Sequence, residues 1–171
     1  MTLRRGLLPL LILLAAFAGC RYGFVGGGLP SHVRTVAILT FENNTSQPLL
    51  ETDIQRALQQ ELPRNLGVRV AEQTVADAVV RGTVSSYEEV VSSVRPNTSA
   101  TGSSQVPVAQ RQVRIVFDAE IYDMRQDQIL WRAQGQSVLG TLADGESPEQ
   151  GRNRAIEELV TRLIEGAQSD W

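Results

Sequence analysis

Cys20 and His32 are the only cysteine and histidine in a chain of 171 residues, so the options for nucleophilic or metal chemistry are few from the outset. A single cysteine excludes an intrachain disulfide, and one Cys with one His excludes a Cys/His zinc site within the chain. His32 lies beside Pro30 and Ser31 in a Gly-rich stretch, whereas a Ser-His-Asp site needs its base held rigidly against the nucleophile. Asp118 and Glu120 are two residues apart and could pair as acid and base, but charges alternating along an exposed strand face are the commoner explanation. Asp123 and Asp127 flank a turn and could contribute to a weak cation site, although two carboxylates lack the further oxygens such a site needs. Asn43, Asn44 and Asn97 open glycosylation sequons. No catalytic group, metal or cofactor is expected. All 16 basic residues are arginine against 19 acidic ones, a net charge of −3, which is the wrong balance for a nucleic-acid binder.

The surroundings of Cys20 give it a different chemistry. Arg4 and Arg5 precede an apolar run over residues 7–17 that is broken only by Pro9. At ~1.5 Å per residue this run spans about half the ~30 Å hydrocarbon core, so it fits a secretory signal and not a membrane-spanning helix. Phe17-Ala18-Gly19-Cys20 resembles a bacterial lipobox, in which the signal peptide is cut before a cysteine that carries diacylglycerol. An added palmitate would complete three chains, and two or more anchor stably. Arg21 stands where Asp would retain many Gram-negative lipoproteins in the inner membrane, which points to the outer one. Residues 1–19 are thus read as signal peptide, 20–32 as a lipid-anchored Gly-rich tether, and 33–171 as one domain. Losing the signal leaves 152 residues, with 14 arginines against 19 acids and a charge of −5. With 42% hydrophobic residues, a domain of this size can bury a single core.

Hydropathy patterning supplies the elements. Val36-Ala37-Ile38-Leu39 reads as a strand covered on both faces, and Glu42-Asn43-Asn44-Thr45-Ser46 breaks it. Pro48 suits a first helical turn, and Leu50, Ile54, Ala57, Leu58 and Leu62 recur at helical spacing until Pro63 and Gly67 stop them. Val68-Arg69-Val70 is a short strand that completes a βαβ unit. Ala78, Val80, Gly82 and Val84 share a face of the next strand, where the Val90-Val91 doublet predicts a bulge or an end. Val113, Ile115, Phe117, Ala119 and Ile121 form the core face of the clearest strand, paired as a hairpin with a strand running from Ile129 to about Leu139. The polar segment 96–107 between strands three and four is a long loop, functional or disordered. Ser147, Pro148 and Gln150 form a capping signature, and Ile156, Leu159, Val160, Leu163, Ile164 and Ala167 form the stripe of a last helix. The expected architecture is α+β: two helices packed on one face of a mixed, mainly antiparallel four- to five-stranded sheet, in the order β-α-β-β-β-β-α.

Longer stretches carry a resemblance. Cys20-Arg21-Tyr22-Gly23-Phe24, Leu29-Pro30, Arg34-Thr35-Val36-Ala37-Ile38 and Phe41-Glu42-Asn43-Asn44-Thr45 follow in order. Ala76-Asp77-Ala78-Val79-Val80-Arg81-Gly82-Thr83-Val84 and Ile129-Leu130-Trp131 come after them. Together they resemble the LPS-assembly lipoprotein family, LptE, with Leu39-Thr40 departing from the proline common in that strand. The resemblance implies two helices on a four-stranded or similar sheet and no turnover. It also implies a lipoprotein that assembles with and plugs the outer-membrane β-barrel LptD and helps place lipopolysaccharide in the outer leaflet. The implied location is the periplasmic side of the outer membrane, and a polar strand face suits a polar barrel lumen. Arg95, Arg111 and Arg114, around the long loop, are candidate contacts to acidic groups of the barrel or to lipid phosphates, because guanidinium binds both bidentately. The alternative is a lipoprotein module that activates a peptidoglycan synthase or assembles a secretion pore, since such proteins share the apolar strand, Phe-Glu-Asn turn and helix.

Overall fold

The computed structural model describes residues 28–95 and 108–169, so the expected signal peptide, Cys20, most of the expected tether and the segment 96–107 read as a loop lie outside the described residues. Among the described residues, six strands and two helices follow in order: β1 (Thr35–Ile38), β2 (Glu42–Asn43), α1 (Leu50–Leu66), β3 (Arg69–Val70), β4 (Ala78–Arg95), β5 (Val108–Asp123), β6 (Gln128–Thr141) and α2 (Pro148–Ser169). They make one mixed sheet in the order β3-β1-β4-β5-β6, with β2 also paired to β4. β1 runs parallel to β3 (Thr35 opposite Arg69) and to β4 (Val36 opposite Ala78), so α1 is the crossover of the expected βαβ unit. β4, β5 and β6 are antiparallel, and the β4–β5 hairpin is the long axis of the sheet.

The α+β expectation of two helices packed with a mixed sheet holds, with the strand count rising to six. β2 is the addition. The Phe41 ring is buried, which draws Glu42 and Asn43 alongside Thr83 and Val84, and the Asn44 N–H donates to the Val84 carbonyl at 2.9 Å. The polar run expected only to end β1 therefore adds a strand of its own. Asn43 then closes the turn: its Oδ1 accepts from the Thr45 N–H and hydroxyl, and its Nδ2 donates to the Gln47 carbonyl and Glu51 carboxylate.

Periodicity places the core where expected. Leu50, Ile54, Leu58 and Leu62 of α1 and the Ile156-to-Ala167 stripe of α2 are buried against Ala78, Val80, Val84, Val113, Ile115, Phe117 and Ile121. Val36, Ala37 and Ile38 are all buried, as a two-sided strand requires. Burying such a side chain contributes roughly 1.5–3 kcal/mol, so these stripes outweigh local preferences. Pro63 illustrates this, because it lies inside α1 and does not end it. Its ring removes one N–H, but Leu66 still packs on the core, and the helix continues to Gly67, whose φ of 66° no β-branched residue would accept. The helix also starts later than Pro48, after Leu49 at φ 63°.

The Val90-Val91 bulge is likewise corrected. Val90 and Val91 pair regularly with Gln112 and Arg111, and the irregularities fall between Val84 and Ser86 and between Ser92 and Val94. The core face of the hairpin runs on through Tyr87 opposite Ile115 and ends at Val113, opposite Glu89; Val91, 65% exposed opposite Arg111, lies just past it, so the doublet need not alternate. At the start of α2, Gly140 meets the helix so closely that an added Cβ would lie 1.8 Å from the Gly151 carbonyl oxygen. Gln150 reaches back to the Ser147 N–H at 3.2 Å, one arm of the anticipated capping box.

Candidate interaction surface

Two polar constellations stand out, one at the end of the sheet where the chain enters and one on the face away from the helices. At the entry end, His32 is not loose. Its Nε2 lies 2.5 Å from Asp123 Oδ2, and Asp123 is fully buried. The Asp123 Oδ1 accepts the N–H groups of Arg125 and Gln126, which fixes the β5–β6 turn. Burial pushes the Asp123 carboxyl up, but the His32 bond and the two backbone bonds outweigh it and hold it below the usual range.

Asp77 is the second knot of this end. Its Oδ2 accepts the N–H groups of Arg34 and Thr35 and the Thr35 hydroxyl, each at 2.9 Å, while Oδ1 lies 2.7 Å from Arg125 Nε. The Arg34 N–H is the leading cause that lowers its pKa to about 2. β1, β4 and the β5–β6 turn are thus tied by two acids.

On the open face, Glu120 of β5 sits between Arg81 of β4 and Arg132 of β6. Arg81 Nε donates to its Oε1 at 2.5 Å, and Arg132 donates twice to Oε2 at 3.0 and 2.8 Å. Burial raises the Glu120 carboxyl, yet the bonds from Arg132 and Arg81 keep it low. Arg81 also lies 5.6 Å above the Tyr122 ring, whose hydroxyl donates to Asp127. Asp118 accepts the Gly135 N–H at 2.6 Å. Arg81, Asp118, Glu120 and Arg132, with Leu39 and Thr83, line a hollow of about 480 Å³.

This geometry decides the candidate acids. Asp118 and Glu120 share the face but each has its own donors, so they form ion pairs and turn contacts, not an acid–base couple. Asp123 and Asp127 do not converge: the first faces His32 inside the fold, the second receives Tyr122. Among the described residues no cluster of His, Cys, Asp and Glu could hold a metal ion.

The three arginines are separated. Arg111 shares strand parity with Val113 and donates to the Glu146 carbonyl at 2.9 Å. Arg114 shares parity with Val116 on the open face, where it stands opposite Glu88 and Leu139 and is exposed. Arg95 pairs by backbone with Val108 at the far end of the hairpin. Asp77, Arg81 and Arg132 were not singled out by sequence. Arg81 and Glu120 do sit opposite each other in register, a pairing that a correct hairpin alignment would have exposed.

An open mixed sheet with two helices on one face, a long central hairpin and a polar outer face defines an α+β scaffold built to present surface. The chain belongs to the LptE family of lipopolysaccharide-assembly proteins, whose family model matches residues 33–166. No curated protein sequence matches it. Among solved structures it is similar to the PelC dodecamer from Paraburkholderia phytofirmans, at 17% identity over 84% of this chain and 95% of that one, with a TM-score of 0.51. It is also similar to the hypothetical protein CT253 from Chlamydia trachomatis, at 11% identity over 79% and 98% of the two chains, with a TM-score of 0.55. At these identities the likeness concerns the fold.

Proposed function

We propose that this protein is an outer-membrane lipoprotein, anchored through Cys20 on the periplasmic side, that assembles with and plugs the β-barrel LptD and helps place lipopolysaccharide in the outer leaflet. The observation that carries this reading is the family match across residues 33–166. The polar sheet face supports it, because a plug in an aqueous lumen must present charge and hydrogen-bonding groups over a broad area. Its role is assembly without turnover, and residues 1–19 are the signal that delivers it. Arg95, Arg111 and Arg114 supply cationic contacts to acidic groups of the barrel or to lipid phosphates, with Arg114 the one that the open face presents.

Affinity capture of the tagged full chain from detergent-solubilised membranes tests the reading. An outer-membrane barrel of the LPS-assembly type is expected in the eluate, and a penicillin-binding protein in its place would overturn it. Replacing Arg95, Arg111 and Arg114 together with Gln is expected to lower barrel recovery or lipopolysaccharide binding by about tenfold. Unchanged recovery and binding would remove those arginines from the interface.

A further inference from the structure

β4 begins as an interior strand and becomes an edge. From Ala78 to Val84 it is flanked by β5 on one side and by β1 and β2 on the other, and its last bond on that side is the one from Asn44 to the Val84 carbonyl. From Ser86 to Ser92 it pairs with β5 through seven consecutive positions without irregularity. Among the described residues nothing pairs with its outer side there. Every second residue of this run therefore directs its N–H and C=O outward, a template for an added strand.

The other edges are less available. β3 has two residues, and β6 carries two register irregularities, a positive φ at Gly135 and an end carbonyl, Thr141, already occupied by Arg154 at 2.6 Å. The free run of β4 also has a charge. Glu88 and Glu89 are exposed on opposite faces, Val91 is 65% exposed, and residues 85–92 contain neither a cation nor a proline. Arg114 stands across from Glu88 on the inner side, while the cross-strand partner of Glu89 is the uncharged Val113. A second copy of β4 aligned antiparallel would set glutamates against glutamates, which disfavours self-pairing.

We infer that the Ser86–Ser92 edge of β4 is a docking site for an extended, basic segment of another protein, which adds as a strand through main-chain hydrogen bonds and sets its arginines or lysines against Glu88 and Glu89. The inference stands on hydrogen bonding and charge in the sheet, independently of the barrel assignment. The probe is an alternating Arg-Val heptapeptide added to the isotope-labelled full chain in detergent micelles. The expected result is saturable binding with slowed amide exchange confined to residues 86–92. Affinity should be about tenfold weaker or worse for a peptide N-methylated at alternate residues, and for the protein carrying E88Q and E89Q, because each removes one half of the recognition. Equal affinity for the methylated peptide would show a charge contact without strand addition and overturn the inference. Absence of binding, or protection elsewhere in the chain, would overturn it too and leave the glutamates as guards against self-association.

Discussion

Asp77 shows how much one side chain can organise. Three donors from Arg34 and Thr35 converge on one of its oxygens and Arg125 lies at the other, so the carboxylate is matched only when ionised. Its folded pKa is depressed to about 2, so its contribution is fully present above the ordinary value of 3.8 and is lost as pH falls from there towards 2. Asp123 acts in the same direction. Asp77→Asn is therefore expected to cost about 2–3 kcal/mol at neutral pH and to flatten the acid limb of stability. Urea denaturation between pH 2 and 7 measures both, and a variant with an unchanged acid limb would contradict the assignment. Neither knot was legible in the sequence. Asp77 meets partners 42 and 43 positions away and His32 meets Asp123 at a separation of 91, so no local spacing betrays them. The lipidation expected at Cys20, by contrast, rests on its immediate neighbours alone, since a processing signal is a local pattern.

Elements were legible to the extent that one face alone is buried. The 3.6-residue stripes of α1 and α2 and the alternation of β5 could be read directly, because burial on one side imposes a period on the residues. β2 could not, since two polar residues become a strand only when β4 is already beside them. The Val90-Val91 doublet misled for the opposite reason: Val91 lies just past the last buried cross-strand residue, Val113, where no core face imposes a period. The packing of α2 on β6 depends on Gly140, where the obstacle to a side chain is helix backbone and not a movable rotamer. Gly140→Ala should thus lower stability by about 3 kcal/mol or more, visible as a fall in Tm, while a Gly145→Ala change, with open space but φ 83°, should cost closer to about 1 kcal/mol. Equal effects at the two sites would mean that α2 shifts easily along the sheet.

At the scale of the whole molecule, the entry knots and the free edge of β4 lie towards opposite ends of the hairpin. Thirteen residues separate Ala78 from Val91, which at ~3.3 Å each gives about 43 Å. Spin labels at Ser31 and Val91, both exposed, should report a single narrow distance near 40 Å. A broad distribution would show that His32 does not hold the entry segment to Asp123. From Ala78 to Arg95 the same strand reaches about 55 Å, more than the ~30 Å thickness of a hydrocarbon core. With the entry segment clamped beside Asp123, the acyl chains proposed at Cys20 would make β4 a ruler: its zero would lie towards the lipid, and its far mark would fall beyond the depth of a bilayer. Inserting or deleting a pair of residues in each strand of the hairpin would move that mark in steps without turning any side chain to the other face.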